Sequence, residues 1–419
     1  MSGIFSSPAT NIARGIAICL LCLSFSSALG QSSEEIKKLQ LSGYVKFLET
    51  YSVPNPDLIG GLKQPIIDHE FHNRLDLTYD PSERWNFSIS ARNRLFYGDQ
   101  VRTNPNFADL VVQNNGLLDL SVVWFDNNYW ALTTVFDRAY IRYEGEKWEI
   151  TAGRQRINWG INTIWNPNDL FNAFNYFDFD YEERPGTDAV RVLYYTGVLS
   201  HVELAIAPGD ADTSTTVAAL YRFNKKAYDI QFLGGYFEGD IAIGGGWDGA
   251  IGGAGFKGEV TGFLPLDGRT AVWDTVASLS ATASVEYMFG VGSGLFTTFS
   301  VLYNSNGNRV FNTSGAGDVP GPILVTAQPS ARNLFPAQWT FFGVASGSFS
   351  PIFTGGIGIM YGLDGPMTLD HQLIINPSLT YSIKENWDLD GIGQLYFAQL
   401  DGSFSPLSSS IFVRLKWSF

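Results

Sequence analysis

Over the last eleven residues, Ser409-Ser-Ile-Phe-Val-Arg-Leu-Lys-Trp-Ser-Phe419, apolar and polar positions alternate without a break. Ile411, Val413, Leu415, Trp417 and Phe419 fall on one face, and Phe412, Arg414, Lys416 and Ser418 on the other. Period two with one apolar face predicts a strand half-buried against apolar surroundings. A strand closing a bilayer-embedded barrel accounts for the terminal aromatic, because its apolar side faces lipid and its aromatics sit at headgroup level. The edge strand of a soluble sandwich is the competing reading, and it gives no reason for ending on Phe419.

Short turns recur along the chain, and an aromatic usually opens the strand that follows. Asp80-Pro-Ser-Glu-Arg84 precedes Trp85, Glu144-Gly-Glu-Lys147 precedes Trp148, and Lys384-Glu-Asn386 precedes Trp387. The connections between these hairpins are long: 98–130, 158–186, 305–336 and 399–407. Short turns at one rim and long loops at the other predict an all-β, transmembrane antiparallel β-barrel over 41–419. The alternating segments number about eighteen. The weak place is Gly-rich 240–263, and one long strand there would leave sixteen.

At the other end of the chain Arg14 precedes an apolar run from Gly15 to Phe25, with Ala28 and Gly30 ahead of Gln31. That layout predicts a cleaved signal peptide over 1–30, followed by a short periplasmic segment over 31–40. Both cysteines, Cys19 and Cys22, lie inside the signal, so the mature chain is expected to lack disulfides and thiolate sites. Leu20 and Leu21 argue against a lipobox at Cys22. A formal net charge of −14 argues against nucleic-acid binding. The expected location is therefore the Gram-negative outer membrane, in contact with its lipid and lipopolysaccharide.

In a barrel of this size inward residues decide what passes. With Leu75, Leu77, Ile89, Leu95, Ile141 and Val190 outward, the inward set includes Arg74, Arg92, Arg94, Arg138, Arg142 and Arg191, and Arg222 also falls inside. Later strands turn Ser280, Thr282, Ser284, Gln372, Asn376 and Gln394 inward. One wall is thus expected to be cationic and the other neutral. Arginine presents a planar, permanently charged fork suited to carboxylate or phosphate. The alternative is that Asp76, Asp137 and Glu149 pair with the arginines merely to fill a polar interior.

The segment Gly153-Arg-Gln-Arg-Ile-Asn-Trp-Gly160 leads into a connection rich in Asn and aromatics. Folded into the lumen it would narrow the pore, with Arg154, Arg156, Asn158, Trp159, Asp178, Asp180, Glu182, Glu183, Arg184 and Asp188 at the constriction. Its acids would face the arginine wall. Alternation from Trp148 and Ile150 puts Arg154 and Arg156 toward lipid, so a register-flipping bulge is expected at Gly153.

Gly153-Arg-Gln, Asn158-Trp-Gly160 and Arg184-Pro-Gly-Thr-Asp188 resemble the pattern of outer-membrane barrels related to the alginate-export porins. The resemblance implies a monomeric passive channel with an arginine-rich lumen, and does not carry alginate itself over. The C-terminus likewise resembles the closing strand of Gram-negative outer-membrane barrels, which implies that Phe419 addresses the barrel-assembly machinery.

The expected function is passive diffusion of small polar or anionic solutes such as carboxylates or uronate-type sugars. An exporter or plugged structural barrel is the alternative, and an outer-membrane lipid hydrolase comes behind it. The sequence contains no HExxH, Gly-x-Ser-x-Gly or Walker pattern, so no catalytic residue is assigned. On a strand His69 and His72 point to opposite faces and cannot share a metal. Asp178, Asp180 and Glu182 form one candidate Ca²⁺ set, but their spacing is not that of a known calcium loop. No other cofactor is expected.

Overall fold

The computed structural model describes residues 38–55, 65–112, 116–173, 182–211, 214–266, 277–307, 330–363, 371–400 and 403–419. The expected signal peptide, most of 31–40, and Asp178 and Asp180 lie outside these residues.

The strands are β1 Leu39–Pro54, β2 Ile66–Ser82, β3 Trp85–Gly98, β4 Ser121–Asp126, β5 Ala131–Glu144, β6 Trp148–Gln155, β7 Thr187–Gly197, β8 Ser200–Ala207, β9 Thr216–Lys225 and β10 Tyr228–Phe237. They continue with β11 Asp240–Ile251, β12 Ala254–Pro265, β13 Ser278–Phe289, β14 Leu295–Asn304, β15 Trp339–Ser350, β16 Phe353–Leu363, β17 His371–Lys384, β18 Trp387–Leu400 and β19 Ser403–Ser418. Helices α1 Asp99–Thr103 and α2 Phe107–Val111 lie between β3 and β4. Each strand except β4 pairs antiparallel with both neighbours around a closed ring, so the barrel has eighteen staves. The Gly-rich stretch is two staves, β11 and β12, joined by a turn at Gly252-Gly253 whose φ angles are 58° and 86°.

Closure joins β1 to β19. Gly43 and Phe419 exchange both backbone hydrogen bonds, at 3.0 and 2.9 Å, and the Phe419 ring lies 5.1 Å from that of Trp417. Deleting Phe419 removes both bonds from the seam. We expect a sharp drop in assembled barrel, read as loss of heat-modifiable migration; full assembly of the truncated chain would refute a role for this residue.

The outer face is apolar, with Ile89, Ile141, Ile150, Val190, Leu204 and Val260 exposed. Aromatic pairs bracket it. At the short-turn end are Trp85–Tyr143 and Trp148–Tyr194, with ring centroids 4.9 and 4.4 Å apart. At the long-loop end are Tyr97–Trp130 and Tyr303–Trp339, both at 4.7 Å. No helix among the described residues is long and apolar enough to cross a membrane, and the exposed apolar side chains lie on the outer face of the strands.

Two features differ from expectation. The connection 98–130 contains β4, which pairs with β5 on the edge that β6 vacates, Ser121–Val123 lying opposite Thr133–Val135. The register also passes Gly153 without a shift, pairing Ala152 with Val190 and Arg154 with Asp188. The bulge falls instead on β5, where Asp137 is the extra residue between Phe136 and Arg138. Gly153 has φ 115°, and a Cβ there would run into the Ala139 carbonyl, so the chain bends where only glycine fits. Arg154 therefore keeps its outward register and is shielded by another means. It pairs with Asp188 at 2.8 Å, and residues 116–118 lie over the pair.

Candidate functional site

Beyond Gln155 the chain leaves the wall and enters the lumen. Its first anchor is Trp159, which is 1% exposed and surrounded by Leu170, Leu220, Leu233 and Phe263. Inward alanines on β8 and β9 (Ala205, Ala207 and Ala218) leave room for that ring. Burying an indole of about 200 Å² at about 25 cal/mol per Å² contributes roughly 5 kcal/mol. The indole Nε1 donates to Glu203 at 2.5 Å, and Gln231 Nε2 donates to the Trp159 carbonyl at 2.7 Å.

The second anchor is Glu259 on β12. Its Oε1 accepts the backbone N–H of Ile161 and of Asn162 at 2.5 and 2.8 Å, and its Oε2 accepts that of Asn168 at 2.9 Å. Thr261 and Ser284 donate to the side-chain carbonyls of Asn168 and Asn162. A single buried carboxylate thus gathers three N–H groups that would otherwise be orphaned in the lumen. The glycines of β11 make this seat accessible. A Cβ on Gly244 would come within 3.0 Å of Asn168 Oδ1, and one on Gly246 within 2.8 Å of Ile161 Cδ1. Further along, Ile164 and Trp165 pack into a second apolar cluster with Leu302, Phe342, Met360, Ile374 and Tyr396.

The returning limb crosses to the opposite wall. Glu182 accepts from Arg414 at 3.0 Å and Lys416 at 2.6 Å, and Glu183 accepts from the Tyr44 hydroxyl at 2.9 Å. Arg184 lies 3.6 Å from Asp169. Burial pushes the Asp169 carboxyl up to about 6 against the pull of Arg184 and Arg156, and burial brings Arg184 down to about 10. Arg156 is also lowered by burial, with Asp169 opposing and Arg138 adding to the shift.

Every arginine expected inside by alternation lies on the inward side, and most of them have carboxylate partners. Arg74 contacts Asp137 at 2.6 Å, Asp76 at 3.0 Å and Glu183 at 3.7 Å. Arg94 pairs with Glu70, Arg142 with Glu149, and Arg191 with Glu203 and Glu149. Arg222 donates to the Gln231 carbonyl, and Arg92 is buried. Arg138 donates to backbone carbonyls, those of Asp137 at 2.6 Å and Arg184 at 2.7 Å. Asn158 is exposed. Arg154 and Asp188 belong to the wall junction rather than to the constriction.

His69 faces outward, bonded to Glu49 and stacked on Tyr97, while His72 is fully buried on the inner side. Among the described residues no three His, Cys, Asp or Glu side chains are grouped to hold a metal. Sequence reasoning missed Glu259 and Glu203 as loop seats. Each is an inward acid by period-two counting, but nothing local says that a distant loop supplies its donors.

No protein-family model matches the chain, and comparison with curated proteins finds no match. Solved structures do share its fold. OccK11 (OpdR) of Pseudomonas aeruginosa is 9% identical with a TM-score of 0.55, over 91% of this chain and 96% of its own. OccAB4 of Acinetobacter baumannii is 8% identical with a TM-score of 0.54, over 91% and 99%. OpdK of P. aeruginosa, solved with vanillate, is 9% identical with a TM-score of 0.53, over 91% and 99%. At these identities the likeness is one of fold. The alginate-export resemblance therefore stays at the level of the quoted motifs.

Proposed function

We propose that this chain is an integral outer-membrane channel for passive diffusion of small anionic or polar solutes, carboxylates and uronate-type sugars among them. In this reading the signal peptide is cleaved, the short turns are periplasmic, Phe419 addresses the assembly machinery, and the barrel works as a monomer among lipid and lipopolysaccharide. An eighteen-stave barrel encloses room for water, and a solved barrel of the same fold was crystallised with vanillate, a carboxylate.

The observation that carries the anion preference is Arg138 beside Arg156, where the inward loop meets the arginine wall. Arg138 donates to uncharged carbonyls, and Arg156 has Asp169 as an acidic neighbour with Arg138 and Arg184 as like charges. A carboxylate solute would bring two acceptor oxygens to these forks. Replacing both by Gln should shift the reversal potential in a salt gradient toward cations. One charge at about 6 Å changes an ion's energy by roughly 0.7 kcal/mol in water and roughly 3 kcal/mol at an effective dielectric of about 20, so a change of a few-fold or more is expected. The shift should shrink as salt rises. Unchanged selectivity would refute the assignment.

Asp169 adds a pH dependence. Its carboxyl, raised to about 6, takes up a proton as pH falls from 7 to 5, which deletes a negative charge beside Arg156 and Arg184. Anion preference should therefore rise over that interval, and Asp169→Asn should hold it near the acidic value throughout. A wild-type preference flat between pH 5 and 7 would contradict this.

The two apolar clusters in which the inward loop packs against the wall favour one other reading, a plugged barrel. Single-channel recording separates the two, since a plugged barrel conducts no steady current.

A further inference from the structure

A cavity of about 580 Å³ opens where β7 to β10 end at the long-loop rim, with the inward loop as its floor. Its chemistry differs from that of the arginine wall. Leu170 and Phe171 contribute apolar surface, Asn172 and Thr216 contribute amide and hydroxyl groups, and Asp210 and Glu238 contribute carboxylates. Among the described residues no lysine or arginine lines it. Two guanidiniums stand behind the lining, and each is matched by its own neighbours: Arg332 bonds Asp240 at 2.6 Å and Glu238 at 3.2 Å and lies over the Phe237 ring, and Arg154, against Gly116, pairs with Asp188 at 2.8 Å.

An anion would meet the Asp210 and Glu238 carboxylates here, while the guanidiniums behind the described lining are already paired with acids. A purely apolar solute would cover the Thr216 hydroxyl and the Asp210 carboxylate without offering either a hydrogen bond, whereas the Asn172 amide is already bonded to the Ile157 N–H and the Pro185 carbonyl. Hydroxyl-rich rings satisfy both halves, since their O–H groups donate to carboxylates and carbonyls while their C–H face lies on apolar side chains. The volume is in the range of small-ligand pockets.

We propose that this cavity is a capture site at the channel mouth for a neutral, hydroxyl-rich solute of mono- to disaccharide size. Because Leu170, Phe171 and Asn172 are loop residues, an occupied site bears directly on the constriction. The proposal does not depend on anion selectivity of the arginine wall.

The test uses the full-length barrel in planar bilayers and in detergent, with maltose, gluconate and glucosamine as probes. Maltose added from the long-loop side should interrupt the ion current and bind saturably by ligand-observed magnetic resonance. Asp210→Ala and Thr216→Val should each weaken that binding by about two- to tenfold, the usual range for one lost hydrogen bond. Unchanged heat-modifiable migration keeps misfolding out of the comparison, and an unchanged reversal potential separates this site from the arginine pair. Absence of saturable maltose binding would overturn the proposal, as would equal binding by both variants. Tighter binding of gluconate or of glucosamine than of maltose would also overturn it, by showing a charged ligand.

Discussion

Glu259→Gln should convert a quiet channel into a noisier and more conductive one, because it removes the seat of the inward loop. The carboxylate accepts three backbone N–H groups from Ile161, Asn162 and Asn168. Hydrogen bonds to a charged group contribute roughly 1.5–3 kcal/mol each before the cost of burying the charge. Gln keeps the volume but turns one acceptor oxygen into an NH₂ donor, which would then face an N–H it cannot accept. At least one of the three bonds is lost and the others weaken, so the loop should loosen by a few kcal/mol while the barrel stays closed. The trace should show larger and more variable single-channel steps, and amide exchange over 156–172 should accelerate. If conductance and exchange both match wild type, Trp159 alone seats the loop and Glu259 is dispensable.

Arg154→Met should destabilise the barrel more than loss of any surface ion pair. The side chains of Arg154 and Asp188 are 2% and 12% exposed, and the guanidinium also donates to the Phe136 and Leu118 carbonyls. Asp188 in turn accepts the Leu118 N–H. Together they tie the segment before β4 over the point where β6 quits the wall. Removing the cation leaves a buried carboxylate uncompensated, which costs about 3–5 kcal/mol. The double variant Arg154→Met/Asp188→Leu should recover much of that loss, since two apolar residues replace the pair without stranding a charge. Unfolding midpoints in urea and detergent would show the single variant well below wild type and the double one between them. Equal midpoints for wild type and Arg154→Met would mean the pair is solvated and the seal lies elsewhere.

These two sites mark where reading along the chain stops working. Alternation alone puts Arg92, Arg94, Arg138 and Arg142 on the face opposite the exposed Ile89 and Ile141, because period two in a strand is a local property that any two-faced environment imposes. The aromatic that follows each short turn, and the closing strand at Phe419, were legible for the same reason. The Gly-rich stretch was ambiguous because glycine carries no apolar signal for either face. Its staves are Gly-rich because the inward loop lies against Gly244 and Gly246, residues 161–168 meeting 244–261.

Hydropathy alternation, turn spacing and chain length were enough to define a two-faced barrel wall and the sidedness of its arginines, since each depends on neighbours within a few residues. Which arginines are neutralised was settled only by folding. Arg74 meets Asp137 because a bulge adds that residue to β5, and Arg414 and Lys416 meet Glu182 across more than 230 positions of sequence. The same holds for Arg154, whose outward register looked untenable until residues 116–118 covered it. Charge balance at a buried site is a sum over everything packed around it, and in a closed barrel those neighbours come from strands and loops that no local pattern links.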